Sequence, residues 1–436
     1  MGGDVARLRN DYGVNGMTDR QIDEAMNFSL AYYASDRHTG SISVIQSAAG
    51  KITVAGLPLA AESGADAARK PILIGVAEDH RIVLLDPLSK EIRLADAFPP
   101  DAFPAHLYSD PRSSRDWFMN DGDKETGNDT LNCGDSGSSV TVVEHSGSTR
   151  AQWLKTICVG RGHHQAAFAY PTPSAPQVPE RAFISNLQDG TLSVIGNDPN
   201  DAQTYLQVLD TINLCEPDKE EGGAAMVVPN KAFPHGLAFS AHSGKLYNLN
   251  NGYGTVAIID PRSAEIEERI PFKGHSNLFA SPDGRYLIGR GADRKSDPEH
   301  VIGKLSVFDV SAKQVVASLD LPDIYISKYY YNPEGSKLYL TTASSGSPQQ
   351  QGNLKTDVVL IFDMRALPRL ELIKELRLGP SGALAFHAVG GRTQRIFSSH
   401  SAAGTVVIMD GESDTPLDSV SVGTGQPHSR IWMLSQ

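Results

Sequence analysis

Histidine recurs at one kind of place in this chain. The segments GRGHHQAAF (160–168), FPHGLAFS (233–240), KGHSNLFAS (273–281) and QPHSRIWML (426–434) each set one or two histidines ahead of a short apolar run. Neutral imidazole is the commonest nitrogen ligand for copper, zinc and iron. A set of imidazoles with few carboxylates suits copper better than calcium or magnesium, which take oxygen ligands. The adjacent pair His163–His164 follows Gly160 and Gly162. Neighbours on a regular strand point to opposite faces, so both can serve one site only where the strand begins irregularly, which glycine permits. One ring of the pair would bind metal while the other orients it or moves a proton.

Residues so far apart in sequence need a fold that returns equivalent positions to one axis, and the chain carries such a repeat. In the clearest unit FPHGLAFS is strand A, AHSG a turn, KLYNLNNG strand B, TVAIID strand C, PRSAE a turn and IEERI strand D. The next unit reads HSNLFA, SPDG, RYLIGRG, KLSVFDVSAK and VVASLDL. A third reads ISKYYY, NPEG, SKLYLTTASSG, DVVLIFD and LELIKELRL, and a fourth GALAFH, AVGG, RIFSSHSAAG, TVVIMD and LDSVSV. Four strands per unit at a period of roughly 40–55 residues is the signature of β-propeller blades. The expected fold is all-β, a seven- or eight-bladed β-propeller, with eight favoured.

SLAYYASDRHTG, SISVIQ and KITVAG supply strands B, C and D with no strand A before them, and HSRIWML is a strand A with nothing after it. The terminal strand therefore closes the ring, which removes open sheet edges. A capping box at Thr18–Gln21 predicts a short N-terminal helix, giving a helical extension over 1–27 and a propeller domain over 28–436. The stretch 117–137 is rich in Gly, Asp and Asn and reads as a long surface loop.

In such blades the start of strand A and the B–C loop share one face, and the A–B and C–D turns share the other. Of the 13 histidines only His145, His242 and His387 map to the turn face. His106, His163, His164, His235, His275 and His428 fall at starts of strand A; His38, His80, His300 and His400 fall at B–C connections. The expected metal ligands are His106, His163, His164, His235, His275, His400 and His428. His164 and Arg161 are the expected catalytic residues.

A net charge of −12 argues against a nucleic-acid or anionic-membrane partner, and no apolar run approaches the ~20 residues a membrane span needs. The start MGGDVARLRNDYG has no apolar core of a secretory signal. The expectation is a periplasmic protein without its leader, or else a cytoplasmic one. Three cysteines are too few for a disulfide scaffold; Cys133 and Cys158 are able to pair and leave Cys215 free. CGDSG (133–137) matches a serine-protease loop by letter only, since it sits inside a propeller unit. Asp121, Asp123, Glu125 and Asp129 lack the register of a calcium loop.

Strand B sequences such as LYNLNNG, LYLTTAS and AFISNLQ resemble those of YVTN-type propellers. Within that group GRGHHQAAF, RAFISNLQDGTLSVI and VPNKAFPHGLAFS are similar to the copper propellers of nitrous-oxide reductase and thiocyanate dehydrogenase. That resemblance implies a multinuclear copper site on His163, His164 and His235, an oxidoreductase acting on a small inorganic nitrogen or sulfur compound, and an electron-transfer protein as partner. The chain lacks the cupredoxin domain of nitrous-oxide reductase. GRG followed by ISNLQDGTLSVIGNDPND also resembles the haem propeller of cytochrome-type nitrite reductase. This implies non-covalent haem instead, with Arg161, Arg290 and Arg294 toward its carboxylates; no CxxCH for covalent haem is present. A non-enzymatic scaffold for protein binding is the third expectation.

Overall fold

The computed structural model describes residues 104–120, 133, 138–144, 152–162, 165–223, 225–380, 383–389, 391–400, 403 and 405–421. It adds the backbone of strands at 32–35, 42–48, 51–57, 72–76, 81–85, 92–97 and 430–432. The histidines at 38, 80, 145, 163, 164 and 428 lie outside these residues, as do the expected N-terminal helix and the acidic cluster at 121–129.

Seven four-stranded antiparallel sheets and one three-stranded sheet follow one another among the described residues. Each is a consecutive meander, except that the first takes its inner strand from the far end of the chain. There Arg430–Trp432 pairs with Tyr32–Ser35, ahead of Ile42–Ala48 and Lys51–Leu57. The ring closure read from the termini is the one observed, and the chain is a β-propeller of eight blades. Blade 2 has three strands, Ile72–Val76, Arg81–Leu85 and Ile92–Ala97.

Blade 5 shows why these residues make strands. Strand B is Lys245–Asn250 and strand C is Thr255–Asp260, and every residue after Lys245 is buried. Near-continuous apolar runs are what a strand covered on both faces requires. Strand D, Glu265–Pro271, is mostly exposed and carries Glu265, Glu267, Glu268 and Arg269. Charges on an outer edge blunt its pairing with another chain. The A–B turns need a left-handed residue, and glycine supplies it at Gly244, Gly284 and Gly335 (φ +66°, +71° and +66°). On the same face an aspartate ending strand C caps the C–D turn in blades 5 to 8: Asp260 accepts from Arg262 N, Asp309 from Ser311 N, Asp363 from Arg365 N and Asp410 from Glu412 N.

The hydrophobic core lies between successive blades. Trp117, Met119 and Val142 of blade 3 meet Ala182, Ile184 and Ile195 of blade 4. Phe279, Ile288 and Leu305 of blade 6 meet Leu338, Leu340 and Leu360 of blade 7. This corrects the start of the expected loop at 117–137. Arg115–Asn120 is strand B of blade 3 and wholly buried, because RDWFMN is a core strand whose apolar side chains outweigh the loop-like composition behind it.

Cys133 and Cys158 form a disulfide with Cα atoms 5.3 Å apart, and Cys215 is free and buried. The bond closes a loop of 25 residues, so chain-entropy reasoning assigns it about 3 kcal/mol. A double Cys133→Ser/Cys158→Ser variant is expected to lose that amount in denaturant unfolding. A loss under ~1 kcal/mol would contradict the assignment.

Candidate functional site

The starts of strand A in blades 4 to 7 are tied to one another in sequence order. Gln165, next to His164, accepts a hydrogen bond from Leu237 N in blade 5 at 3.1 Å. His235 of blade 5 places Nδ1 2.6 Å from the carbonyl oxygen of Ser276, next to His275 in blade 6. Arg290 of blade 6 donates from Nη1 to the carbonyl of Ile326, the first residue of strand A in blade 7, at 2.8 Å. Gln165 thus meets residue 237, His235 meets Ser276, and Arg290 of strand B reaches Ile326.

The PHG segment is built for this approach. Gly236 has φ +144°, and a Cβ there would lie 2.6 Å from Leu278 N and 3.1 Å from Leu249 Cβ. Only glycine lets strand A of blade 5 rest against blade 6 at that point. The β-bulge between Pro234 and Leu237 accompanies it and aims the His235 ring sideways. A carbonyl oxygen only accepts, so His235 Nδ1 carries a proton in this contact. Metal-ligating histidines are held in this way, the distal nitrogen donating to a carbonyl.

His400 makes the same kind of contact. It ends strand B of blade 8, is 3% exposed, and its Nδ1 lies 3.1 Å from the carbonyl oxygen of Pro380. Its Nε2 is buried with no hydrogen-bond partner among the described residues, and burial lowers its pKa, so the ring is neutral near pH 7. The corresponding last residue of strand B is Asn120, Asn186 and Asn250 in blades 3 to 5. Each of these asparagines donates to hydroxyls at the start of strand C, among them Ser139, Thr191 and Thr255. Blade 8 puts an imidazole where those blades have an amide that donates to its own blade. The asparagine belt was not foreseen; its signal is the repeated Asn closing DWFMN, RAFISN and KLYNLN.

His275 is turned into its own blade. Its ring stacks on Phe272 with centroids 4.1 Å apart, and Nε2 lies 2.9 Å from Ser306 Oγ. Gly289 clears the slot, since a Cβ there would sit 2.3 Å from Phe272 and 2.9 Å from His275. Burial lowers the His275 pKa to about 4, so it is neutral near pH 7. His106 lies in strand A of blade 3, its ring 6.5 Å from that of Tyr108. His242 sits on the turn face, 3.5 Å from Ser311 Oγ. His300 pairs with Asp323 at 2.8 Å, and the carboxylate raises its pKa.

Arg161 is engaged by Asp189, which accepts from its Nε at 2.7 Å and from its backbone N at 2.7 Å. Arg290 and Arg294 both face blade 7. Arg294 lies over the Tyr325 ring at 5.6 Å and donates to Ser345 Oγ at 3.0 Å. Among the described residues no three of His, Cys, Asp or Glu come together as a metal-binding group. Of the expected ligands, His163, His164 and His428 lie outside those residues, and His400 is a described one whose Nε2 is left as a donor to metal.

No protein-family model matches the chain, and no curated protein sequence is significantly similar to it. Among solved structures it is similar to the periplasmic gluconolactonase PpgL of Pseudomonas aeruginosa, at TM-score 0.55 and 14% identity, over 84% of this chain and 99% of that one. It is similar to dihydro-heme d1 dehydrogenase NirN in complex with DHE, at TM-score 0.54 and 11% identity, over 92% and 74%. It also matches hydrazine synthase of Kuenenia stuttgartiensis, at TM-score 0.50 and 15% identity, over 77% and 96%. At these identities the likeness is one of fold, and with the sheet order above it makes the chain a β-propeller.

Proposed function

We propose that the protein is a metal-dependent oxidoreductase whose copper site is held by imidazoles at the mouth of the ring and acts on a small inorganic nitrogen or sulfur compound. The observation that carries this reading is the His400 ring, whose Nδ1 is bound to the Pro380 carbonyl and whose buried Nε2 has no hydrogen-bond partner among the described residues, together with a His235 ring held by the Ser276 carbonyl. The buried Nε2 of His400 without a partner fits a metal ligand, because an unpaired buried acceptor is otherwise unfavourable. His163 and His164 are proposed as further ligands because they precede Gln165 in sequence, and the Gln165 side chain bonds the backbone two residues after His235. His275 is assigned a packing role. Bound copper would exchange electrons with the substrate, and a separate electron-transfer protein would supply or remove them.

In this reading the residues of the chain do three things. Ser276 and Pro380 carbonyls fix two ring orientations. Burial keeps His400 neutral, which is the form that binds metal. His164 is proposed to move a proton, and Arg161 is proposed to act in the same step. The disulfide supports an oxidising location, which agrees with a periplasmic protein.

Elemental analysis of protein produced with copper supplied tests this. Copper is expected in the wild type and in His242→Ala, and should fall at least ~10-fold in His235→Ala and His400→Ala. Equal copper in all four proteins would remove the proposal. A Soret band with no copper would favour non-covalent haem, the reading to which the NirN likeness lends support.

A further inference from the structure

We propose that Asp189 is a positioning residue for the His163–His164 pair: through Arg161 it clamps the turn that leads into the pair. This rests on the reading above that the pair serves the copper site, and it adds a residue to that site.

The anchor is a tight turn. Blade 4 passes from strand B, Arg181–Asn186, to strand C, Thr191–Gly196, over residues 187–190. Gly190 takes φ +68° there, and its N donates to Asn186 O at 2.9 Å. Asp189 lies in this turn and uses both carboxylate oxygens on Arg161. Oδ2 accepts from its backbone N and Oδ1 from its Nε, each at 2.7 Å. Gln188 N donates to the Arg161 carbonyl at 2.9 Å. One residue is thus held at its amide, its carbonyl and its side chain, which fixes the direction in which the chain leaves Arg161.

The flanking residues are fitted to the same part of blade 4. A Cβ on Gly160 would lie 2.7 Å from Asn186 Cγ, and one on Gly162, at φ +104°, would lie 2.7 Å from Gln188 N. Beyond the pair, Gln165 N donates to Ser185 Oγ at 2.8 Å, and its carbonyl accepts from Ser185 N at 2.9 Å. From blade 3, Gly162 N donates to Ser138 Oγ at 3.3 Å. The Cys133–Cys158 disulfide holds the end of the strand that enters the turn. The pair is therefore bracketed by residues 162 and 165, both seated on the end of strand B and the B–C turn of blade 4.

Exposure separates positioning from stability. The Arg161 side chain is 42% exposed, and an ion pair so open to water contributes little to the global fold. Its effect is geometric, since a two-point charge-assisted bond fixes orientation. Outer groups that orient a metal ligand typically change metal affinity by about 10–100-fold. The clamp uses Nε and the backbone N of Arg161, which leaves both Nη atoms for the step proposed above.

Hydrogen–deuterium exchange of the copper-free full chain, read by mass spectrometry, tests the clamp. In Asp189→Ala the peptide 159–166 is expected to exchange at least ~10-fold faster, while peptides of blades 6 and 7 and the unfolding midpoint stay unchanged. Copper content measured on the same variants is expected to fall at least ~10-fold. Asp189→Glu keeps the carboxylate and should recover most of both. Unchanged exchange at 159–166 in Asp189→Ala would overturn the inference, and so would faster exchange with copper fully retained. Wild-type protein without copper would remove the copper reading instead, while faster exchange in Asp189→Ala would still bear out the clamp.

Discussion

Asp110→Ala is expected to destabilise the protein by about 3–5 kcal/mol. Asp110 sits in the A–B turn of blade 3, on the face away from the histidines, with 4% exposure. One of its oxygens accepts from Arg115 Nη2 at 3.2 Å, Ser113 Oγ at 2.8 Å and Asn197 Nδ2 of blade 4 at 2.9 Å, and the other accepts from Arg112 N at 2.9 Å. The Arg115 side chain is 3% exposed and lies over the Tyr205 ring. Removing the carboxylate strands a buried guanidinium and releases the joint between blades 3 and 4. Breaking one side of a buried pair is far worse than never having it, because the remaining charge keeps its desolvation penalty. Thermal unfolding followed by far-ultraviolet circular dichroism should show a fall of roughly 3–5 °C in apparent Tm. Copper content at the opposite face should be retained in the folded fraction. A shift within ~1 °C would mean that the pair does not join the blades.

Gly236→Ala is expected to be nearly as damaging and also to reach the site. The residue's φ of +144° is one that side chains rarely adopt, and the added Cβ would meet Leu278 N at 2.6 Å. Backbone strain and overpacking of this kind each amount to about 1–3 kcal/mol. The obstacle is backbone, which cannot swing away as a side-chain end does. Relief must come from lifting strand A of blade 5 away from blade 6, and the His235 contact to Ser276 lies on that seam. The variant should therefore lose stability by about 2–5 kcal/mol and lose copper even where it remains folded. Full copper in a destabilised Gly236→Ala would separate the seam from the site.

The propeller was legible because its code is local. Apolar runs of five or six residues, turns with glycine at a left-handed position and an orphan strand at each end are set by backbone chemistry, and the sheets follow them. Gly244, Gly284 and Gly335 fall where the turn motifs put them. The side to which an imidazole turns is not local. KGHSNLFAS and FPHGLAFS look alike, yet His235 reaches across to the next blade while His275 folds onto Phe272. What separates them is Gly289, fourteen residues beyond His275, which opens the slot its ring fills. The strand at Arg115–Asn120 was hidden for a different reason, as its apolar run adjoins a polar insertion and composition averages the two.

X-ray absorption at the copper edge, on wild-type protein and on His235→Ala, tests most directly whether imidazoles from different blades meet at one centre. The account predicts outer-shell scattering from more than one imidazole in the wild type and a lower imidazole count in the variant. Copper with no imidazole signature, or an identical spectrum after His235 is removed, would contradict it.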